Sequence, residues 1–303
     1  MKKLSRSKLP VSIAISLCLF LLMNVALGWG PGGHMIVAQI AYNHLNHHAK
    51  AEVDKLIKLR IDPEAITAKS LDFVNASHWP DDLRPDESFA ETLQLHFADF
   101  PFSDDGTALP DLPDKHNVIT ALKKYVKVLK YSTNDAHRAE ALRFIIHFVG
   151  DIHQPLHCTT RVTQESPDGD RGGNGFMLQV KNPNGKVQKV KLHSYWDGGI
   201  GSFPKAGPNF APPPLSQIGP AAKSITAEFP DTDAGWKAGG PFDYEGWAKE
   251  SSELAQSVAY HDLDPNSQPS SQYNQKALNT VRKRAAWGGY RLAALLNEIF
   301  PEQ

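Results

Sequence analysis

The sequence is short of three things: cysteine, net charge and long apolar runs. Its 303 residues include only two cysteines, and its 32 basic residues nearly balance its 33 acidic ones. This balance argues against a broad basic surface for nucleic acid, so any recognition of phosphate has to come from something the count omits, such as bound metal. With 41% hydrophobic and 21% charged residues, the composition indicates a packed globular protein and excludes a disordered or multi-span membrane protein.

The one marked apolar run lies at the N-terminus. Four basic residues within residues 2–8 precede the run at 11–22, and Ala26 and Gly28 are small residues where a signal peptidase reads the chain. We predict that residues 1–28 are a secretory signal peptide and that residues 29–303 form one secreted or periplasmic domain, with no membrane anchor after cleavage. A single membrane anchor is the alternative, but the run is shorter than the ~20 residues that a span needs.

Cleavage of that leader would leave Cys158 as the one cysteine of the mature chain. An internal disulfide is then impossible, and a purely structural zinc site, which usually recruits thiolates, is disfavoured. A secreted enzyme without disulfides needs another source of rigidity, and bound metal is one candidate. All 13 histidines lie after residue 28, so they are available for such a site.

The apolar pattern predicts a mainly α, single-domain protein with several helices. Helical spacing runs through residues 34–59 (one long helix or two), 117–131, 136–152, 215–229, 244–260 and 276–300. Residues 176–192 are the exception, because two alternating segments flank Asn184-Gly185, and this pattern predicts one small β-hairpin. The proline-rich loops are too short to serve as interdomain linkers.

The most informative segment is the run HFVGDIHQPLH, residues 147–157. His147 and Asp151 are four residues apart, so on a helix both project from one face and could reach a common ion. Pro155 would end that helix and allow His157 to turn back toward the same region. His153 lies off the shared face, and we interpret it as a hydrogen-bonding residue behind the ligands.

His193 and Asp197 repeat the four-residue spacing directly after the predicted hairpin. Two such pairs suggest more than one metal ion, although for either pair alone an ordinary hydrogen bond across a helix surface is the alternative. Imidazole and carboxylate donors are those expected of catalytic zinc. Cleavage before Trp29 would also free an α-amino group with a pKa of about 8, low enough for a metal to displace its proton.

Taken together, these motifs resemble the zinc-dependent, single-strand-specific nucleases of the S1/P1 type. GDIHQPLH, DRGGN at residues 170–174 and LHSYWD carry most of the resemblance, which spans nearly the whole mature chain. It implies the helical fold that these nucleases share with zinc-dependent phospholipases C, and we expect a bacterial member. It further implies hydrolysis of single-stranded DNA and RNA to 5′-phosphate products and removal of phosphate from 3′-mononucleotides. We expect a monomer without a stable protein partner.

The resemblance also implies three zinc ions. One ion would bind Asp81, His96, His147 and Asp151, a second would share Asp151 and add His34 and the terminal backbone of Trp29, and a third would bind His157, His193 and Asp197. Asp151 and Asp81 would act in catalysis by holding the ions that lower the pKa of a bridging water. Arg84 would help to neutralise the phosphate, with an ordinary surface arginine as the alternative.

Two residues are implied to contact substrate. Phe97 would stack on an unpaired base, which explains a preference for single strands because stacking requires the base to leave a duplex first. Asp99 would form a hydrogen bond with that base. The alternatives are core packing for Phe97 and a hydrogen bond to a metal-bound imidazole for Asp99. Gly198 stands where the family's nucleases often carry a polar residue, so contacts to substrate at this position stay open.

Two other functions could use the same residues. Phospholipases C share the fold and an N-terminal tryptophan ligand, but their last ligand pair resembles His-x-x-x-Glu, whereas this sequence has His193 and Asp197. A non-catalytic, secreted zinc-binding protein is the second alternative. Assays of the mature protein on single-stranded DNA and on lecithin would separate the three functions.

Overall fold

The chain is mostly helical, as the apolar pattern predicts. The computed structural model describes residues 29–110, 116–182 and 184–302. The predicted signal peptide at residues 1–28 lies outside the described residues. Within the described ranges the α-helices are α1 (Pro31–His44), α2 (His47–Ile57), α3 (Glu64–Thr67), α4 (Trp79–Asp82), α5 (Val118–Tyr131), α6 (Asp135–Ile152), α7 (Leu192–Asp197), α8 (Leu215–Glu228), α9 (Tyr244–Leu254) and α10 (Ser271–Ile299). Among these residues, no helix combines the length and apolar character that crossing a bilayer requires.

Side-chain caps explain where several helices begin. The predicted segment 34–59 forms two helices, because the first helix ends before Leu45, whose backbone is extended. The second begins after Asn46, whose side chain accepts a hydrogen bond from Ala49 N at 2.7 Å. Helix α5 begins directly after Asn117, which forms a capping box with Thr120. The last helix is longer than predicted, since it starts at Ser271 rather than at residue 276.

Four short strands form two separate sheets. The predicted hairpin is confirmed: β3 (Met177–Lys181) pairs antiparallel with β4 (Val187–Lys191). Apolar alternation did not predict the second sheet, in which β1 (Phe100–Phe102) runs parallel to β2 (Thr159–Arg161). Each of its strands is only three residues long, and it depends on contact between distant segments. This pairing places the segments that precede β1 and β2 side by side.

Helices α1 and α6 lie at the centre of the molecule. Both are buried around most of their circumference, as is typical of helices enclosed by others. Helix α1 packs closely on α10, where a Cβ added to Gly289 would come within 2.5 Å of the Ile40 side chain. Polar side chains on α1 and α6 are therefore removed from bulk water, so each needs a hydrogen-bond partner or a bound ion.

Candidate metal centre

Eight buried or nearly buried histidine and aspartate side chains meet at the end of α6, and we call them the His/Asp cluster. Its members are His34, Asp81, His96, His147, Asp151, His157, His193 and Asp197. They come from α1, α4, α6 and α7, from the end of the 3-10 stretch Glu87–His96 and from the turn Pro155–Cys158. The structure thus brings together every side chain that the sequence analysis assigned to metal.

Asp151 occupies the middle of the cluster. Its Oδ2 lies 2.9 Å from His96 Nδ1 and 3.1 Å from His147 Nε2. Its Oδ1 lies 3.4 Å from His34 Nε2 and 3.5 Å from His157 Nδ1. The two oxygens therefore face different partners, which is the arrangement of a carboxylate able to bridge two ions.

Backbone carbonyls fix the orientation of three imidazole rings. The Nδ1 of His147 donates a hydrogen bond to Ser77 O at 2.7 Å, and the Nδ1 of His193 donates to Gly172 O at 2.6 Å. His157 Nδ1 lies 2.9 Å from His96 O and donates to it in the same way. A ring that donates through Nδ1 presents Nε2 as an acceptor, as a metal-binding histidine does.

The spacing of the donor atoms fits a tetrahedral ion. Ligands at Zn–N distances of about 2.0–2.1 Å are separated from each other by about 3.3 Å. His147 Nε2 lies 3.0 Å from His96 Nδ1 and 3.6 Å from Asp81 Oδ1. His193 Nε2 lies 3.2 Å from His157 Nε2 and 3.6 Å from Asp197 Oδ2. His157, His193 and Asp197 thus form one set of donors, whereas His147 belongs to two, one with His96 and Asp151 and one with His34 and Asp81.

Several buried atoms of the cluster have no hydrogen-bond partner among the described residues. They include both ring nitrogens of His34, Nε2 of His96 and Oδ1 of Asp151. An unsatisfied buried polar atom is costly, and native proteins keep few of them. Burial lowers the pKa of His34 and of His96 to about 4, so both rings are neutral near pH 7 and able to bind a cation.

Asp81 and Arg84 form an ion pair at the edge of the cluster. Arg84 Nη2 lies 2.5 Å from Asp81 Oδ1, and the Arg84 side chain is only 10% exposed. Burial would raise the pKa of Asp81, but the charge of Arg84, followed by that of His147, outweighs burial and lowers it to about 2. Arg84 therefore lies against the cluster rather than on the open surface, and its role toward phosphate stays a prediction.

Gln154, and not His153, forms a hydrogen bond with a candidate ligand. Gln154 Nε2 donates to Asp197 Oδ1 at 2.7 Å, while its Oε1 accepts from Leu156 N at 2.6 Å. The interpretation of His153 was wrong in this respect: its ring lies on the opposite side of α6, where Nδ1 donates to Val149 O and Nε2 accepts from Arg291. The helix ends at Ile152, so helical spacing no longer predicts where residues 153 and 154 point.

Phe97 and Asp99 lie beside the cluster. The Phe97 ring is half-buried, with its centroid 4.6 Å from that of His157, and it does not belong to the hydrophobic core. Core packing is therefore the weaker interpretation of Phe97. Burial, followed by the charge of Asp170, raises the pKa of Asp99 to about 7.

Trp29 is fully buried next to the cluster. Its indole contacts Phe203, with ring centroids 5.4 Å apart, and Gly30 N donates to Asp197 O at 3.1 Å. A Cβ added to Gly150 would lie 3.7 Å from Cδ1 of Trp29. The start of the described chain is thus tied both to α6 and to α7, where the sequence analysis expects it.

Sequence reasoning missed two glycines that make the cluster possible. A Cβ on Gly150 would lie 2.7 Å from His34 Nδ1, so only glycine lets that ring lie against α6. Gly172 has a φ of 60°, and a Cβ there would collide with Leu156 O. A glycine between two candidate ligands inside a helix was a visible signal for the first of them, because such glycines often mark a close approach.

The sequence matches a known protein family over nearly all of the described residues. The sequence profile of the family described as S1/P1 Nuclease matches residues 29–301. Endonuclease 4 of Arabidopsis thaliana is 30% identical over 298 residues, which cover 92% of this chain and 91% of that protein. Nuclease P1 of Penicillium citrinum is 24% identical over 295 residues, which cover 89% of this chain and 97% of that protein. Nuclease S1 of Aspergillus oryzae is 26% identical over 193 residues, which cover 62% of this chain and 60% of that protein.

Proposed function

The chain belongs to the S1/P1 nuclease family, and from this we propose that it is a secreted, zinc-dependent endonuclease specific for single-stranded DNA and RNA. Membership makes it a hydrolase of phosphodiester bonds that acts on nucleic acid. Its products carry the phosphate on the 5′ side, and 3′-mononucleotides are further substrates. The observation that carries the proposal is the convergence of eight His and Asp side chains, several with unsatisfied buried atoms, on a few common points.

Three zinc ions fit the donors that the chain provides. Asp81, His96, His147 and Asp151 would hold the first, His34 and Asp151 with the terminal nitrogen and carbonyl oxygen of Trp29 the second, and His157, His193 and Asp197 the third. The donor spacing supports the third set and three members of the first, namely His96, His147 and Asp151. Asp81 lies within ligand spacing of His147 and of His34. The close packing of His34 on His147, with ring centroids 3.9 Å apart, places the second position beside the first.

Bound zinc would supply Lewis acidity at phosphate oxygens and would lower the pKa of an attacking water. The residues of the chain contribute position and charge. Asp151 spans the two neighbouring donor sets, so it fixes their separation. Arg84 holds Asp81 ionised and adds a positive charge at the edge of the site, where a phosphate oxygen would arrive. Because the imidazole ligands are neutral, the site would carry a net positive charge once cations are bound. This charge favours the binding of a negatively charged phosphodiester.

Phe97 supports single-strand specificity. Because one face of its ring packs against His157, a base that stacks on the remaining surface lies directly beside the candidate ligands. A base in a duplex is already stacked and paired on both sides, so a duplex would have to open before it reached Phe97. Asp99, the residue directly before β1, is the hydrogen-bonding partner proposed for that base.

Removal of residues 1–28 is part of the proposal. The family match begins at Trp29, and Trp29 is buried beside Gly150 and close to His34. A free amino group on Trp29 would therefore arise within reach of the second zinc position. The mature enzyme is proposed to be a monomer that is exported to the periplasm or the medium.

The test uses the purified mature protein. N-terminal sequencing should begin at Trp29, and metal analysis should give three zinc ions per chain. Single-stranded DNA and RNA should be cleaved much faster than duplex DNA, and chelation should abolish the activity. Cleavage of lecithin without nuclease activity would indicate a phospholipase C instead. Fully zinc-loaded protein without any phosphodiesterase activity would indicate a non-catalytic zinc-binding protein.

A further inference from the structure

A groove of about 780 Å³ is lined by one member of the His/Asp cluster, Asp197, and by residues of the hairpin. Gly198 and residues 30–33 at the start of α1 line it as well, and we call the part at Asp197 its inner end. Residues of strands β3 and β4, residues 203–206 and Phe210 complete the lining. The groove is therefore continuous with the proposed reaction site but extends well beyond the side chains that could hold metal.

The charge of this region differs from that of the whole chain. From Arg171 to Ala227, both included, the sequence has seven basic residues and one acidic residue, Asp197, which is itself a candidate ligand. The chain as a whole carries almost equal numbers of acidic and basic residues, so the average conceals a local positive surface. Such a surface attracts a polyanion in a salt-dependent way.

Three of the basic residues line the groove itself: Lys181, Lys191 and Lys205. Within the described residues, none of the three has an ion pair or a side-chain hydrogen bond, and Lys181 and Lys205 are exposed. Phe210 lines the same groove with 65% of its surface exposed. Unpaired cations that follow a groove, combined with an exposed aromatic ring, are the features of a surface that binds single-stranded nucleic acid.

We propose that this groove is an extended binding site for the substrate strand, in which Lys181 and Lys205 contact phosphates and Phe210 stacks on a base several nucleotides from the scissile bond. The proposal rests on the proposed function and adds to it the path of the strand. It predicts a preference for long single strands over dinucleotides and 3′-mononucleotides, because short substrates occupy only the inner end. None of these three residues is part of the reaction site.

The experiment compares Lys181→Gln/Lys205→Gln and Phe210→Ala with the unaltered zinc-loaded protein. Binding of a nuclease-resistant phosphorothioate oligothymidylate is measured by fluorescence anisotropy over a range of salt concentrations. The double variant should reduce the slope of log affinity against log salt by roughly 0.7 for each lysine removed. Phe210→Ala should weaken binding by about fivefold or more, the loss of one base–aromatic stack.

Steady-state kinetics provides the second readout. For a long single strand, KM should rise in both variants while kcat stays close to the unaltered value, and the rates on a dinucleotide and a 3′-mononucleotide should not change. Lys58→Gln/Lys127→Gln is the charge-matched control, because both lysines are exposed and neither lines the groove. It should leave the salt slope and KM unchanged.

The outcomes separate this proposal from the proposed function. The double variant could cleave single strands and yet show the salt slope and the long-strand KM of the unaltered protein. This result would overturn the proposed binding groove but would leave the proposed nuclease function standing. An equal effect of the control pair would also overturn it, since the attraction would then be spread over the whole surface. Lysine-dependent binding of the oligonucleotide in a protein that cleaves no nucleic acid would support the groove and refute the enzyme.

Discussion

Replacement of Gly150 by alanine tests whether His34 must lie against α6 to bind zinc. The added Cβ would be 2.7 Å from His34 Nδ1 and 3.1 Å from Cε1, so the ring has to move. Without metal, the one polar contact of the ring within the described residues is that of His34 Nε2 with Asp151 Oδ1 at 3.4 Å, so little besides packing resists the movement. Alanine is also better than glycine inside a helix by about 1 kcal/mol. The metal-free variant should therefore unfold at nearly the original temperature.

The zinc-loaded protein should respond differently. A bound ion would hold His34 in place, so the clash would be relieved only by strain or by loss of the ligand. Overpacking of this kind costs about 1–3 kcal/mol, which weakens one zinc by roughly fivefold to a hundredfold. A competition titration with a chromophoric chelator measures this directly, and metal analysis after dialysis should fall from three zinc ions per chain toward two.

Gly219→Ala is the control for zinc affinity, because it also changes a glycine within a helix, but its Cβ would meet nothing apart from the adjacent residues, which include Pro220. It should leave all zinc affinities unchanged. If Gly150→Ala bound three zinc ions with the original affinities, His34 would not be a ligand in the position described here, and the second zinc position would be wrong.

Three further variants test other parts of the site. Asp151→Asn should lower nuclease activity by more than about 100-fold and remove more than one zinc, because outer residues alone typically account for 10- to 100-fold effects. Gln154→Ala should lower activity and the affinity of the third zinc by about 10- to 100-fold through the lost hydrogen bond to Asp197; unchanged values would show that Asp197 needs no support. Asp99→Asn should raise the thermal stability at pH 8 but not below pH 4. Burial raises the pKa of Asp99 to about 7, and the buried charge that the variant removes forms only as the pH rises toward that value. An equal effect at both pH values would contradict this explanation.

Local sequence signals predicted the long helices well and the short elements poorly. Helix α5 combines an amphipathic pattern with a capping asparagine, so both its position and its start could be read from the sequence. Helices α3 and α4 are four residues long, too short for any periodicity, and they exist because the surrounding chain packs on them. The parallel pairing of β1 with β2 joins residues about 60 positions apart, which no local pattern can specify.

The same distinction holds for the site. The pairs 147/151 and 193/197 could be predicted, because each is set by one turn of a helix. The approach of His34 to Asp151 could not, since it depends on α1 packing against α6 at Gly150, and it entered the prediction only through the family resemblance. Local charge clustering was also missed, because a net charge near zero says nothing about where the charges lie.

Bound metal and the scarcity of cysteine are connected through stability. Within the described residues Cys158 is free and buried, so no disulfide constrains them. The four cluster atoms on His34, His96 and Asp151 that have no hydrogen-bond partner each cost about 1–3 kcal/mol, against a typical domain stability of about 5–15 kcal/mol. Zinc bound through one ring nitrogen of His34 and through Oδ1 of Asp151 would satisfy two of these four atoms, and it should therefore contribute a substantial part of the net stability. Chelation should therefore lower the Tm by many degrees, while a reducing agent should leave the Tm unchanged. The same Tm with and without chelator would show that the cluster is stable without metal and would remove this argument for bound zinc.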